Sequence, residues 1–229
     1  MLINLQRQKK RMQLRENVSR REIEAKLANV GDYVKMDYLS ACLKKNLDFD
    51  TKKFTLVKLS EIYESRKMYL EAGKLLRAAA EINSTFEGKM NDFMKSMELS
   101  VKGGNFDDAE VSYTKALACA DGMQKERLRA RRKTTYINQA RDALAKDKRK
   151  HAMDAYQKYL SIPELNSQER LEVQTALLAL YEKLGKITEY GALRRTMSQP
   201  AQPQQSKTER KQTSSFSFRD IGLDDDLVL

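Results

Sequence analysis

A pattern that returns along the chain limits its possible folds more than any other feature. It runs Gly, a large residue, a small or medium residue three positions on, then two further core positions. Gly104-Asn105-Phe106, Ala109, Tyr113, Ala116 is the clearest copy, and Gly31-Asp32-Tyr33, Met36, Ser40, Leu43 is another. Lys67-Met68-Tyr69, Ala72, Leu76, Ala79 fits with Lys in place of Gly. Arg149, Ala152, Tyr156, Tyr159 fits at the later positions, and Gly185-Lys186-Ile187, Tyr190 begins the pattern again. The anchors Met36, Ala72, Ala109, Ala152 and Tyr190 are spaced by 36, 37, 43 and 38 residues. Periods of this size are those of helix-turn-helix repeats. Small anchors let paired helices approach closely, the aromatic fills the wedge between them, and Gly suits a left-handed cap on the preceding helix.

A first helix is expected ahead of each of these segments. Phe54 to Ser65 carries Leu56, Leu59, Ile62 and Tyr63; Met90 to Val101 carries Phe93, Met94, Met97 and Val101. Gln124 to Ala145 carries Leu128, Tyr136, Ile137, Ala140 and Leu144, and Gln168 to Leu184 carries Leu171, Leu177, Leu178 and Tyr181. Intervals of three and four residues give one apolar stripe per helix. Pro163 predicts a turn between units, and Asn166-Ser167 supplies capping side chains for the last of these helices. Composition agrees: 41% hydrophobic, 33% charged, 9 Gly, 3 Pro and no Trp favour an all-α chain over sheet.

The run Phe106, Ala109, Tyr113, Ala116-Leu117 resembles the second half of a tetratricopeptide repeat, as does Tyr69, Ala72, Leu76, Ala79. The resemblance covers roughly residues 17–197 and is strongest in the middle two units. Leu56, Phe93 and Tyr136 fall where that family places an aromatic, often Trp. The units also resemble the longer helical repeats of SNAP-type attachment proteins. The resemblance implies an all-α, right-handed superhelix of about five antiparallel helix pairs, with first helices lining an inner groove. In that register Arg141, Thr134 and Ile137 face the groove from the fourth unit, and Asn91, Met94 and Glu98 from the third. Family members often grip a partner's terminal carboxylate with Lys, Arg and Asn; the complete clamp is not present here.

Charge points to acidic partners. With 43 Lys and Arg against 32 Asp and Glu, the formal charge is +11, which favours RNA, DNA, anionic lipid or acidic peptide. One basic cluster is Arg7, Lys9, Lys10, Arg11, Arg15, Arg20 and Arg21. The second spans Lys125 to Lys150, with eleven cations against Glu126, Asp142 and Asp147, a balance of +8. A long helix with Arg127, Arg131, Arg132 and Lys133 is expected to present a positive ridge to phosphates or to an acidic peptide. No aromatics interleave these clusters as stacking platforms for single strands would require.

Catalysis finds little support. No P-loop, GxGxxG, GxSxG or HExxH pattern occurs, and the expectation is a non-enzymatic chain without cofactor or metal. His151 is the single histidine, and Cys42 and Cys119 form no CxxC; both read as small core residues of a chain in a reducing, cytoplasmic setting. No apolar run reaches a membrane span, and residues 1–16 read as a basic extension rather than a secretory signal. Residues 198–219 read as a linker rich in Gln, Ser, Thr and Pro. The end, residues 220–229, places Asp220, Ile221, Leu223, Asp225, Leu227 and Leu229 in an acidic-apolar pattern suited to docking in a groove, on this chain or on a partner. Three functional readings follow: a scaffold for protein or peptide partners, an RNA- or ribosome-associated factor, and a SNAP-like adaptor in membrane fusion.

Overall fold

The structure, a computed structural model, describes residues 18–198. The basic extension 1–16, residues 199–219 of the linker and the tail 220–229 lie outside the described residues, so nothing here places Arg7, Asp220 or Leu229. Among the described residues there are ten helices and no strand. They are α1 (Arg20–Leu27), α2 (Asp32–Cys42), α3 (Phe49–Ser65), α4 (Tyr69–Glu81), α5 (Phe86–Lys102), α6 (Phe106–Ala118), α7 (Gly122–Ala145), α8 (Arg149–Leu160), α9 (Ser167–Lys183) and α10 (Ile187–Ser198).

The odd-numbered helices start where a short polar side chain can replace a missing helical acceptor. Asp48 accepts the Thr51 amide at 2.9 Å, Thr85 the Gly88 amide at 3.1 Å, and Asp121 the Gln124 amide at 2.7 Å. Asn166 accepts the Glu169 amide at 2.7 Å, and Glu169 returns a bond to the Asn166 amide, completing a capping box. The first-helix cores expected from the sequence are therefore present, with α3 and α5 each starting earlier than their apolar stripes.

Four of these helices end in one geometry. Lys67, Gly104, Asp147 and Gly185 have φ of 62, 79, 52 and 67°. Beyond each, an amide reaches back five residues: Met68 to the Tyr63 carbonyl, Asn105 to Ser100, Lys148 to Ala143 and Lys186 to Tyr181, at 2.8, 2.9, 2.8 and 2.8 Å. That is the Schellman turn. Gly31 departs from expectation. It has φ −72° and precedes α2 as an extended N-cap residue, because α1 already ends at Leu27. Tyr33, read as a wedge, is 69% exposed, with Arg66 lying 3.9 Å from its ring centroid.

The anchors Ala72, Ala109 and Ala152 have no exposed surface, whereas Met36 and Tyr190 are half-buried. Small polar residues extend the same close approach. Ser60 donates to the Ala72 carbonyl at 2.9 Å, Ser96 to the Gly73 carbonyl at 2.8 Å, and Ser96 meets Ser112 at 3.2 Å, all buried. A β-carbon on Gly73 would lie 3.1 Å from the Ser100 hydroxyl oxygen and 3.3 Å from the Ser96 carbonyl oxygen, so α4 sits nearly backbone-to-backbone on α5. One apolar core runs from Ala80 to Tyr181, and a separate cluster around Ile23, Leu39, Cys42 and Leu59 closes the N-terminal end. Leu144 and Leu171, expected in the stripes, are 38% and 50% exposed; Ala143 and Val173 take the buried positions beside them.

From α2 onward each helix packs on its chain neighbours; α1 packs on α3, and α5 also packs on α7. Ion pairs link alternate helices: Lys95–Glu64 (3.0 Å) joins α5 to α3, Arg131–Glu98 (2.5 Å) joins α7 to α5, and Lys133–Glu169 (2.8 Å) joins α7 to α9. Arg77–Asp108 (2.7 Å) and Lys115–Glu81 join α4 and α6.

The left-handed turns carry a direct stability consequence, because a side chain there costs about 1 kcal/mol relative to Gly. Lys67→Gly is expected to stabilise the fold by roughly 0.5–1 kcal/mol, and Gly104→Ala to destabilise it by about 1 kcal/mol although the space around Gly104 is open. Urea unfolding followed by circular dichroism checks both; equal midpoints for the two variants would contradict the assignment.

Candidate functional site

The fourth unit contains the 24-residue α7, the longest described helix, and matches the 43-residue anchor interval. Its central face forms one wall of a groove whose other walls are α8 and α9. Lys133, Thr134, Ile137 and Arg141 line it together with Tyr156 and Tyr159 of α8 and with Val173 and Ala176 of α9. Four residues named from the sequence thus meet in one place. The tyrosines were visible as core positions of the repeat but not as groove floor, because repeat periodicity does not say which edge of a buried ring stays accessible.

The remaining sequence candidates separate physically. Met94 has no exposed surface and belongs to the core. Asn91 is exposed on α5, away from the α7–α9 groove. Arg127 is exposed, and its guanidinium donates to the Met123 sulfur at 3.7 Å. Arg131 is held by Glu98 of α5. Arg132 is drawn into the structure: its Nε and Nη2 donate to the two Glu110 oxygens at 3.2 and 2.6 Å, and the Tyr136 hydroxyl donates to the same carboxylate at 2.6 Å. The Arg132 guanidinium also lies 4.6 Å from the centre of the Tyr113 ring. This side chain is 11% exposed.

The middle of the expected ridge, from Arg129 to Lys133, is therefore neutralised. Arg129 pairs with Glu126 and approaches Glu164 at 3.6 Å, and Lys133 with Glu169 at 2.8 Å. Arg149 pairs with Asp147 at 2.9 Å. Lys125, Arg127, Arg141, Lys146, Lys148 and Lys150 have no carboxylate partner among the described residues. Of these, Arg141 alone lines the α7–α9 groove, which also carries Glu126, Glu164, Glu169 and Glu172.

Electrostatics within the groove are coupled. The hydrogen bond from Lys133, reinforced by the Asn166 amide, holds the Glu169 carboxyl below the usual carboxylate range. Burial pushes the Tyr156 and Tyr159 phenols up, and the Arg141 charge opposes that shift at both rings. No group of three or more His, Cys, Asp or Glu is arranged to hold a metal ion among the described residues, and no described helix is long and apolar enough to cross a membrane.

Two consequences follow from the Arg132–Glu110–Tyr136 cluster. Arg132→Ala leaves a partly buried carboxylate without its charge-assisted bonds and is expected to cost about 2 kcal/mol, whereas the exposed Arg127→Ala is expected to change stability by less than about 0.5 kcal/mol; urea midpoints compare them. Burial, then the hydrogen bond to Glu110, pushes the Tyr136 phenol above its ordinary 10.0, and burial pushes Tyr38, Tyr113, Tyr156 and Tyr159 in the same direction. The unfolded chain releases these protons first, so their contribution is complete below pH 10.0 and is lost as pH rises beyond it. Melting temperature is expected to fall through that alkaline range, less steeply in Tyr136→Phe.

Comparison with known proteins gives little to add to this geometry. No family model matches the chain, and no curated protein matches it. Among solved structures, the crystal structure of BtubC (BKLC) from P. vanneervenii is similar at 17% identity and a TM-score of 0.33, covering 81% of this chain and 86% of that chain. At that score the likeness assigns this chain neither a fold family nor a function.

Proposed function

We propose that this protein is a non-enzymatic, tetratricopeptide-like scaffold whose α7–α9 groove holds an extended segment of a protein partner. The ion pairs between alternate helices support the stacked arrangement. Their partners lie 31 residues apart in Lys95–Glu64, 33 in Arg131–Glu98 and 36 in Lys133–Glu169, close to one repeat. Stacked pairs of this kind form a superhelix with an inner face available for binding.

The single observation carrying the binding role is the juxtaposition in that groove of Arg141 with Tyr156, Tyr159 and Ile137. Arg141 has no carboxylate partner among the described residues and offers a planar donor array to an incoming carboxylate. The half-buried Ile137 and Ala176 offer apolar area to the side chain beside it, over the ring edges of Tyr156 and Tyr159, which are each 5% exposed. Glu126, Glu164, Glu169 and Glu172 around the rim disfavour a polyanion there. That favours a peptide with one acidic residue next to an apolar one over an RNA strand. The carboxylates holding Arg131 and Arg132 weigh against the RNA reading in the same way, since those guanidiniums already have partners.

Affinity capture with the full chain, its Arg141→Glu variant and its Arg127→Glu variant tests this. Loss of specific partners by Arg141→Glu with retention by Arg127→Glu is the expected result. Equal loss in both, accompanied by retention on heparin that falls steeply with salt, would instead indicate binding through phosphates.

A further inference from the structure

A second groove lies where three of the Schellman turns meet. Its walls are Lys67–Glu71 after α3, Lys102–Gly104 after α5, and the end of α7 through the start of α8. Its floor is apolar. Met68 and Leu70 are 37% and 36% exposed, and Tyr69 and Phe106 are half-buried beside them. Leu70 lies so close to Gly103 that a β-carbon there would come within 2.5 Å of a Leu70 methyl carbon, which keeps this part of the floor tight against the backbone.

The rim is basic. Lys67, Lys102, Lys146, Lys148 and Lys150 line the groove against Glu71, Asp142 and Asp154. Lys102 approaches Glu64 at 3.5 Å, but the other four lysines have no carboxylate partner among the described residues. The cations left over from the pairing on α7 thus gather at this end of the helix. Two helices also begin here without a side-chain cap, at Met68 and Lys148, which leaves first-turn amides of α4 and α8 for an outside acceptor.

We infer that residues 220–229 of this same chain dock in this groove, with Asp220, Asp224, Asp225 and Asp226 toward the lysines and Ile221, Leu223, Leu227 and Leu229 toward the Met68–Phe106 floor. Charge complementarity selects the groove over the α7–α9 site, whose lining has four carboxylates against three cations. It also selects against the exposed Phe49, Phe86 and Met123, which open α3, α5 and α7 beside Asp48, Asp50, Glu87 and Asp121. The 21 residues from 199 to 219 span up to roughly 70 Å when extended and about 25 Å as a flexible coil. Docking within one chain covers apolar floor and neutralises the rim, and it leaves the α7–α9 groove open to a partner.

Zero-length carboxyl-to-amine cross-linking on the full chain, read by peptide mass spectrometry on the monomer band, tests the inference. Cross-links from Asp220–Asp226 to Lys67, Lys102, Lys146, Lys148 and Lys150 are expected. In a variant carrying Lys146→Glu, Lys148→Glu and Lys150→Glu, all exposed positions, the cross-links to the untouched Lys67 and Lys102 are expected to fall roughly fivefold or more, the equivalent of about 1 kcal/mol. Lys125→Glu is expected to leave them unchanged. Cross-links concentrated on Lys52, Lys89 or Lys125, an even spread over all lysines, or cross-links confined to a dimer band would each overturn intramolecular docking in this groove.

Discussion

The backward hydrogen bond of the Schellman turn is the constraint on which the rest of this structure depends. Tyr63, Ser100, Ala143 and Tyr181 are the accepting carbonyls, and each bond forces the residue before its donor into the left-handed region. The chain then turns through three residues, and the following helix starts at a fixed position relative to the one just ended. Ala72, Ala109 and Ala152 are each the fourth residue of that following helix and have no exposed surface. A larger anchor would separate the helices and open the core beneath Leu76, Tyr113 and Tyr156. Turn and anchor therefore act together, and each helix covers its apolar stripe against the helices next to it in the chain.

Helix packing also decides which charges remain available. Facing first helices bring Glu64 to Lys95, Glu98 to Arg131 and Glu169 to Lys133. Exposed ion pairs of this type contribute little stability individually. Their larger effect is on the surface potential, since they remove the middle of the α7 ridge as a binding feature. Cations beyond the reach of a facing carboxylate collect at the two ends of α7, and Arg141 is left by itself in the groove between. The uniform basic ridge suggested by the sequence becomes a balanced face, one isolated arginine and a lysine-rich end.

Much of the helical layout was legible because its signals are local. Apolar intervals of three and four, the Asn166 cap and the Ala anchors all act within a turn or two; the caps at Asp48, Thr85 and Asp121 were not anticipated, and those helices start earlier than their apolar stripes. Gly104 and Gly185 announced their left-handed turns, whereas Lys67 and Asp147 did not, since neither residue type requires that conformation. Gly31 gave the converse error: glycine permits a left-handed turn, but where α1 ends decides whether one forms. Met94 was assigned to the groove by family register, yet its side chain fills the core between helices, a distinction of about one helical position that periodicity does not resolve. The buried Ser60, Ser96 and Ser112 contacts depend on helix-to-helix distance, which no single-helix pattern encodes.

The candidate sites were legible in proportion to how far their residues depend on other helices. Thr134, Ile137 and Arg141 could be placed because one face of one helix carries them. Arg132 has the same spacing and the same charge, but its role is set by Glu110, 22 residues away in sequence. A search for opposite charges one repeat apart would have found Arg131 with Glu98 and Lys133 with Glu169, but not Arg132 with Glu110, which lie 22 residues apart on consecutive helices. Net charge alone therefore overstates what a chain of packed helices offers an anionic partner. The quantity that matters is the charge left after each helix has met its neighbours, and along α7 that remainder lies at Lys125 and Arg127 at its start, at Arg141, and around the turn between α7 and α8.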